Sequence, residues 1–195
     1  MVAGVHDDPQ PSAWIRRWSH LVTAGGSVLD VACGRGRHLR WFARLGHPVV
    51  GVDRAAEAVD SLSDLVVGGN AQVLLADIEG APWPLVHERV PRQFDAVVVT
   101  NYLWRPLLPT ILHSLAPGGV LLYETFAQGN ATVGKPSRPD FLLAPGELLD
   151  VCAGLRVVAY EDGFCDVPAR FVQRVAAVSP ATGGTEGSLP PRYPL

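Results

Sequence analysis

The sequence predicts an α/β fold, a three-layer doubly wound structure built on a mostly parallel β-sheet, and three observations predict it. Short runs rich in Val and Leu alternate with segments of helical periodicity along most of the chain. Each run is continuously apolar rather than alternating, which is typical of strands buried on both faces of a parallel sheet. Polar residues follow the ends of these runs, at Asp30, Asp53, Asp77 and Asn101, and ligands bind at the carboxyl ends of such strands.

The first half of the chain contains three predicted strands and three predicted helices. Ser12 is a favourable N-cap for a helix over 13–22, which the Gly25-Gly26 pair ends. The strands are predicted at 27–33, 48–52 and 71–76, and the other two helices at 37–45 and 55–65.

The second half continues the alternation after a Pro-rich connection over 79–93 that has no clear period. In Pro117-Gly118-Gly119, proline fixes φ and glycine accepts the positive φ that follows, so the sequence predicts a type II turn. A long loop is predicted over 126–144. The remaining strands are predicted at 94–100, 120–125, 155–160 and 171–178, and the remaining helices at 107–115 and 145–151. The last two strands are predicted to be antiparallel because the link between them is short.

The composition narrows the classes of function. A net charge of −3 and a pI near 6.0 give no basic field, so nucleic acid is not an expected partner. The three cysteines, without CxxC or His/Cys spacing, predict no disulfide framework and no metal site, and they favour a reduced, cytoplasmic setting. The N-terminus lacks the regions of a signal peptide, and no apolar run approaches the roughly 20 residues of a membrane span. The oligomeric state is left open.

The stretch VLDVACGRGRHL, Val28–Leu39, combines a strand with a glycine turn that usually cradles a nucleotide-like cofactor. A dinucleotide fingerprint requires a third glycine for close helix–strand packing, and Leu39 stands in its place. A P-loop is excluded because no Gly-Lys-Ser/Thr follows. His38, in the first helical turn, either lies near the ligand or has a surface-capping or packing role.

S-adenosylmethionine is the second candidate, a ligand with a ribose diol, an adenine, an ammonium and a carboxylate but no phosphate. Its site should place carboxylates where phosphates would otherwise bind. Asp30 is predicted near the ammonium, and Gly34 and Gly36 let the backbone approach the methionine part. Asp53 follows Gly34 by 53 − 34 = 19 residues, a position that suits an acceptor for the ribose hydroxyls.

The adenine is assigned to the end of the third strand. Asp77 can accept from the adenine amino group, and the Ile78 N–H can donate to the ring. Structural alternatives remain open, namely a hydrogen bond to the loop for Asp30 and a helix cap for Asp53. The predicted cofactor-binding set is completed by Ala32, Arg54 and Asn101.

Five stretches, in order, resemble the successive motifs of class I S-adenosylmethionine-dependent methyltransferases: VLDVACGRGRH, VVGVDRA, LLADIE, FDAVVVTNYL and LAPGGVLLYETF. The stretch ETFAQGNATVGKPSRPDFLLAPGELL further resembles small bacterial methyltransferases of the tellurite-resistance type. The resemblance implies a seven-stranded sheet with an antiparallel last strand and S-adenosyl-L-methionine as the cofactor. The expected domain covers 27–178, after an N-terminal segment and helix over 1–26 and before a disordered tail over 179–195.

The resemblance also implies that Asn101 and Tyr102 lie beside the methionine part and the transferred methyl group. Methyltransferases that act on exocyclic amines of bases often have Asn-Pro-Pro-Tyr at this place, whereas this chain has NYLW, which argues against that chemistry. Trp14 and Trp18, one helical turn apart, are either core residues or part of a lid, because the N-terminal helix of this family can close over the cofactor.

The predicted function is an S-adenosylmethionine-dependent methyltransferase that acts on a small-molecule acceptor. Methyl transfer from a sulfonium mainly requires alignment, so a general base is needed only when the acceptor arrives protonated. The candidates for such a base are Tyr102, Glu124 and His113, and Glu124 has a structural alternative. The loop over 126–144 is the expected substrate cover, and its Lys135 and Arg138 suit an anionic acceptor.

Two alternative functions remain open at this point. A methyltransferase acting on RNA or protein would present a basic face and bind RNA in a salt-sensitive way. A non-catalytic S-adenosylmethionine-binding interaction module would share the cofactor residues without turnover.

Overall fold

The computed structural model describes residues 10–181 and 191–195, so predictions for residues 1–9 and for the part of the tail over 182–190 lie outside the described residues. Seven strands form one sheet, which confirms the predicted fold class. Their order across the sheet is β3-β2-β1-β4-β5-β7-β6. In chain order they are β1 Val28–Val31, β2 Val49–Asp53, β3 Ala71–Leu75, β4 Phe94–Thr100, β5 Leu115–Phe126, β6 Arg156–Asp166 and β7 Ala169–Val178.

The chain changes its direction of travel across the sheet at β1. This strand pairs in parallel with β2 on one side, Val28 opposite Val49, and with β4 on the other, Val28 opposite Ala96. β2 pairs in turn with β3. The connections after β1 and after β4 therefore leave on opposite sides, and a crevice opens between them at the carboxyl edge.

The last two strands form an antiparallel hairpin, as the sequence predicted. β7 runs antiparallel to β5, with Val178 opposite Val120, and β6 pairs with β7 at the edge of the sheet. Both strands are longer than predicted, extending to Asp166 and from Ala169. An exposed edge strand tolerates the polar residues that interrupt its apolar pattern, so the pattern alone underestimates its length.

The described residues contain six α-helices: α1 Ala13–Trp18, α2 Arg37–Arg44, α3 Ala56–Asp60, α4 Ser63–Val67, α5 Leu108–His113 and α6 Glu147–Val151. Ser12 caps α1 by accepting the Trp14 N–H, as predicted. The single helix predicted over 55–65 is wrong, because the hydroxyl of Ser61 donates to the Ala58 carbonyl at 2.6 Å and the buried Leu62 separates α3 from α4. No helix in these described ranges has the length and apolar character that a membrane crossing needs.

Apolar side chains fill both faces of the sheet. One face packs against α1 and α2, and there Trp14, Trp18 and Phe42 are each at most 3% exposed. The other face carries a second cluster that includes Ile111 from α5 and Leu148 from α6. The sheet is therefore covered on both sides, as its continuously apolar strands require.

The described ends of the tail contact the sheet. The Ser179 N–H donates to the Gly119 carbonyl at 2.8 Å, and the Arg156 guanidinium lies over the Tyr193 ring at 5.7 Å from its centre. The division of the chain into a segment over 1–26, a domain over 27–178 and a disordered tail over 179–195 stays a prediction.

Helix α2 approaches the sheet closely over Gly51 in β2. A Cβ atom at Gly51 would lie 2.6 Å from Leu39 Cδ1 and 2.8 Å from Cys33 Sγ, so no larger residue fits there without movement. The dinucleotide fingerprint achieves this approach with a third glycine in the helix. Here the two partners are exchanged, with the leucine in the helix and the glycine in the facing strand.

We expect Gly51→Ala to lower the free energy of unfolding by about 1–3 kcal/mol, the usual cost of adding a methyl group to a well-packed core. Denaturant-induced unfolding measures this change. Gly154→Ala is the matched control, because a Cβ there meets no atom within 4 Å. Equal losses in the two variants would contradict the close approach of α2 to β2.

Candidate functional site

A cavity of about 620 Å³ opens at the carboxyl edge of the sheet, around the ends of β2, β3, β4 and β5. Residues from both sides of the crevice line it. Nine of the residues predicted from the sequence are among them: Ala32, Asp53, Arg54, Asp77, Ile78, Asn101, Tyr102, Lys135 and Arg138. Asp30, Gly34 and Gly36, also predicted, do not line the cavity in the described structure.

Seven further lining residues were not predicted. Thr125 and Phe126 end β5, so the strand-end rule that marked Asp53 and Asp77 could have found them. The inward-facing residues of the loop have no periodic pattern that would reveal them. The seven are Glu79, Leu103, Thr125, Phe126, Pro136, Ser137 and Phe141.

The loop between β1 and α2 passes through left-handed backbone at three residues. The φ angle is 54° at Ala32, 53° at Gly34 and 72° at Gly36. This conformation costs glycine little and an alanine more. A Cβ at Gly36 would also lie 2.5 Å from Leu62 Cδ2, so this glycine is required by packing as well as by its φ angle.

Asp53 fastens the glycine loop to the end of β2. Its Oδ2 accepts the Gly34 N–H at 2.7 Å and its Oδ1 accepts the Ala55 N–H at 2.9 Å. The second bond resembles the helix-cap alternative, although the N-cap residue of α3 is Ala55 itself. Each carboxylate oxygen has a further lone pair, so Asp53 can accept additional donors from the cavity.

Asp30 is a buried carboxyl group inside β1 and is 1% exposed. Its Oδ2 has no hydrogen-bond partner among the described residues, and His38 Nδ1 lies 3.8 Å away. Burial raises the pKa of Asp30 to about 8, with a downward effect from Arg37 and a smaller upward one from Asp53. Because a nearby cation would favour the ionised form, this carboxyl is suited to a positively charged ligand.

Asp77 forms the turn after β3. Its Oδ1 accepts the N–H groups of Glu79 at 3.0 Å and Gly80 at 3.2 Å. These two hydrogen bonds are the largest causes that lower the pKa of the Asp77 carboxyl, so it remains an anion. Glu79 in turn lies 3.7 Å from the Arg54 guanidinium, and this pair forms one wall of the cavity.

Asn101 and Tyr102 bring two unpartnered polar atoms to the cavity. Asn101 has a φ of 54°, and its Oδ1 and the Tyr102 hydroxyl are buried without a hydrogen-bond partner in the described structure. Strained backbone and unsatisfied polar atoms are features of ligand sites. Burial, followed by the neighbouring Glu79 carboxylate, raises the pKa of Tyr102, so its phenol stays protonated.

Glu124 does not line the cavity, which corrects its place among the base candidates. The residue is 1% exposed, and its carboxylate is held by Arg174 Nε at 2.8 Å and by Arg170 at 3.5 Å. The structural alternative is the one observed.

His113 is also remote from the cavity. It ends α5, and its exposed ring lies 2.7 Å from the Pro109 carbonyl. The carbonyl of the next residue, Ser114, accepts the N–H of Phe94 at the start of β4, which puts His113 at the amino edge of the sheet. Helices between parallel strands run back from the carboxyl edge, so the end of α5 cannot reach the site. Of the three candidates, only Tyr102 lines the cavity.

The predicted substrate loop covers one side of the cavity and brings two cations to it. Lys135 is exposed, while Arg138 is 2.7 Å from the Asp140 carboxylate and its guanidinium lies over the Phe141 ring. The base of the loop is fixed by Asn130, which is 1% exposed. Its amide donates to the Pro136 carbonyl at 3.0 Å.

The N-terminal tryptophans are core residues. Trp14 is 3% and Trp18 is 1% exposed, and the Trp14 indole donates to the Val175 carbonyl at 3.2 Å. Neither residue lines the cavity. Of the two alternatives for this pair, the core position is the one observed.

The three cysteines form no disulfide among the described residues, and two of them are held as unreactive thiols. All three, Cys33, Cys152 and Cys165, are free thiols. Burial raises the pKa of Cys33 above its usual range and that of Cys152 to about 12, and a protonated thiol is a poor nucleophile. Within the described ranges, no group of three or more His, Cys, Asp or Glu could hold a metal ion.

We expect Asp30→Asn to be more stable than the wild type at pH 8. The folded pKa of about 8 lies above the unfolded value of 3.8, so the native state holds the extra proton and wild-type stability falls as the pH rises between these values. The neutral amide removes this dependence, with a gain on the order of a few kcal/mol at pH 8.

Urea unfolding at pH 5, 6.5 and 8 measures both slopes. Asp166→Asn, at an exposed carboxyl on β6, is the control and should keep the wild-type slope. An Asp30→Asn variant with that same slope would contradict the raised pKa.

Known proteins resemble the chain in sequence and in structure. A profile described as methyltransferase domain matches residues 28–119. The ubiquinone/menaquinone biosynthesis C-methyltransferase UbiE of Pseudomonas paraeruginosa is 33% identical over 124 residues, covering 57% of this chain and 46% of that protein. A ubiquinone biosynthesis O-methyltransferase of Burkholderia vietnamiensis is 31% identical over 129 residues, covering 62% and 53%. The chain thus spans about half the length of these curated relatives.

Solved structures share the fold. TehB from Haemophilus influenzae superimposes with a TM-score of 0.70 at 20% identity, covering 89% of this chain and 64% of that one. An S-adenosylmethionine-dependent methyltransferase from Methanosarcina mazei gives 0.64 at 14% identity, covering 88% and 99%.

These matches agree with the strand order and with the motifs at the carboxyl edge, and the Methanosarcina mazei protein is described as dependent on S-adenosylmethionine. They agree with the resemblance drawn from the sequence: residues 28–119 match the profile of a methyltransferase domain, and the chain has the class I, Rossmann-like fold of the solved methyltransferase structures.

Proposed function

We propose that this protein transfers a methyl group from S-adenosylmethionine to a small, anionic acceptor. The proposal rests mainly on one observation: the cavity has carboxylates on one side and positively charged side chains on the other. Carboxylates and left-handed backbone lie at the ends of β1 to β3, and two cations come from the loop after β5. A cavity of about 620 Å³ falls within the roughly 300–1,000 Å³ of small-molecule sites.

The residues present fit this cofactor. Asp30 does not line the cavity itself, but it lies two residues before Ala32, which does, and its buried Oδ2 lacks a hydrogen-bond partner in the described structure. An unsatisfied buried carboxylate at this place supports its pairing with the ammonium group. Asp53 has lone pairs for the ribose hydroxyls, and Asp77 is an anion beside the Ile78 N–H for the adenine. When bound, the cofactor supplies an electrophilic methyl group on a sulfonium.

The chain's own residues contribute orientation rather than proton abstraction. Tyr102 keeps its proton because burial raises its pKa, so its hydroxyl acts as a hydrogen-bond donor, and Asn101 Oδ1 is an acceptor. An acceptor that arrives already nucleophilic needs only to be held in line. We therefore expect the acceptor to be deprotonated at neutral pH before it binds.

The acceptor side combines apolar walls with positive charge. Phe126, Phe141 and Leu103 supply the walls, and Lys135 and Arg138 supply the charge. Such a lining favours a small molecule with an apolar body and an anionic group. The names of the curated relatives, which refer to ubiquinone biosynthesis, agree with a small-molecule acceptor but do not identify it.

We expect Asp53→Ala to weaken binding of S-adenosylmethionine and S-adenosylhomocysteine by about tenfold or more, because the variant loses an acceptor for the ribose and the anchor of Gly34. Calorimetric titration measures both ligands. Asp60→Ala, at an exposed carboxyl on α3, is the control and should bind as the wild type does. A wild type that binds neither ligand would remove the proposed function, and binding without turnover on any acceptor would favour the non-catalytic module.

We expect Lys135→Ala combined with Arg138→Ala to raise the acceptor KM about tenfold with little change in kcat, since a charge that holds the acceptor equally before and during transfer acts on binding. The acceptor is found first by screening anionic and neutral compounds with labelled cofactor. Arg44→Ala, at an exposed cation on α2 near the amino edge, is the control. An unchanged KM would contradict the proposed role of the loop, and labelling of RNA instead would favour the nucleic-acid alternative.

The location and the assembly of the protein stay predictions. The three free thiols agree with the predicted reducing, cytoplasmic setting. The oligomeric state is left open.

A further inference from the structure

A line of buried polar groups runs between the sheet and the N-terminal segment, beside the cofactor loop. It joins Asp30 in β1, His38 in α2 and Ser12 at the start of α1. All three residues are at most 8% exposed. Buried polar groups are costly unless they are paired, so the pairing of each atom carries information about what it does.

His38 is held as one neutral tautomer. The backbone N–H of Ser12 donates to His38 Nε2 at 3.2 Å, and a ring nitrogen that accepts a hydrogen bond carries no hydrogen. The hydrogen of the neutral ring therefore sits on Nδ1. Burial, followed by the nearby Arg37, lowers the pKa of His38 to about 3, so the ring stays neutral at physiological pH.

Two oxygens lie near the Nδ1 atom of His38. Thr100 Oγ1 lies at 3.5 Å and Asp30 Oδ2 at 3.8 Å. The second distance is too long for a hydrogen bond, although a shortening of roughly 0.6 Å would bring it into range. This Asp30 oxygen is the one that lacks a hydrogen-bond partner among the described residues.

Ser12 is itself fixed by the rest of the fold. Its hydroxyl lies 3.2 Å from both carboxylate oxygens of Glu124 and donates to them, and it accepts the Trp14 N–H at 3.2 Å. Glu124 is held by Arg174. The N–H that selects the tautomer of His38 is thus anchored, through Glu124 and Arg174, on β5 and β7.

We propose that His38 is a positioning residue that acts through Asp30. Its Nδ1–H completes a hydrogen bond to the Asp30 carboxylate when the cofactor's ammonium group binds there, and the Ser12 N–H keeps the ring in the tautomer that can donate. This inference rests on the proposed function, in which Asp30 receives the ammonium.

The charges around Asp30 support a positioning role for His38. The titratable groups that face Asp30 are Arg37 and His38 from α2, Asp53 from β2 and Cys33 from the loop. Among these charged groups only Arg37 favours the ionised carboxylate, while burial and Asp53 oppose it. An additional N–H donor stabilises the ionised form, so His38 makes Asp30 a better partner for a cation.

Two amide substitutions separate the two sides of the ring. In His38→Asn the side-chain amide can take the place of Nδ1 and still donate to Asp30, but the Ser12 N–H loses its acceptor. In His38→Gln the amide oxygen can take the place of Nε2 and accept from Ser12, but the donor to Asp30 is lost. We expect His38→Asn to keep S-adenosylhomocysteine affinity within about threefold of wild type, and His38→Gln to lose about tenfold. Thermal unfolding should instead show the larger stability loss in His38→Asn.

Two further measurements distinguish positioning from a merely structural effect. Methylthioadenosine has the adenine, the ribose and the thioether but no amino-acid part, so wild type and His38→Gln should bind it equally. The affinity of the wild type for S-adenosylhomocysteine should rise with pH up to about 8, where Asp30 ionises. In His38→Gln this midpoint should move to higher pH, and in His38→Asn it should not.

The Asp30→Asn background supplies the last comparison, since His38→Gln should cost no further affinity once the carboxylate is absent. The inference is overturned if His38→Gln and His38→Asn lose equal affinity, if His38→Gln weakens methylthioadenosine binding as well, or if its effect persists in the Asp30→Asn background. Wild-type protein that fails to bind S-adenosylhomocysteine would overturn the proposed function, whereas normal binding by every His38 variant would overturn this inference alone.

Discussion

The burial of one carboxyl group, Asp30, is the constraint on which much of the site depends. Burial inside an apolar strand destabilises the ionised form of a carboxyl group, and the fold places few hydrogen-bond donors or cations near Asp30 to offset this cost. The glycine loop directly after β1, the neutral His38 and the anchored Ser12 all lie around this one group. A protein that needed only stability would have an apolar residue at this position, and this unsatisfied oxygen is what supports the proposed binding role of Asp30.

The cofactor side of the site was predictable because it follows from the sheet. Carboxyl ends of neighbouring parallel strands meet at one edge, so Asp53, Asp77 and Asn101 could be brought together from the order of strands alone. The antiparallel last strand was predictable from the short link between the last two strands. Errors arose where side chains, not strand order, decide the outcome. Leu62 breaks the helix predicted over 55–65 by turning into the core against Gly36.

The polar contacts of the core could not be predicted from sequence. Glu124 resembles a catalytic carboxylate at a strand end, but side chains of β5 alternate between the faces of the sheet, and Glu124 lies on the face opposite Thr125. Its partners Arg170 and Arg174 belong to β7, a strand far along the chain that no local pattern connects to it. The exchange of glycine and leucine between α2 and β2 is a second case, since the role of Gly51 depends on the side chain of Leu39.

Strand β7 holds the loop that covers the cavity. The start of β7 holds this loop through Phe171, whose N–H donates to Asn130 Oδ1 at 3.1 Å and whose carbonyl accepts the Ala127 N–H at 2.9 Å. Further along β7, the fully buried Gln173 bonds to the carbonyl of Ala144, at the end of the loop, and to the N–H of Leu148 in α6. Both ends of the loop are therefore fixed to one strand, and the exposed segment with Lys135 lies between these anchors.

The same strand carries Arg174, which holds Glu124 and through it Ser12. β7 thus supports the loop over 126–144 on one face of the sheet and the N-terminal segment on the other. A displacement of this strand would therefore affect the loop over 126–144 and, through Glu124 and Ser12, the ring of His38 beside Asp30. The C-terminal hairpin therefore connects the loop over 126–144 with the residues around Asp30.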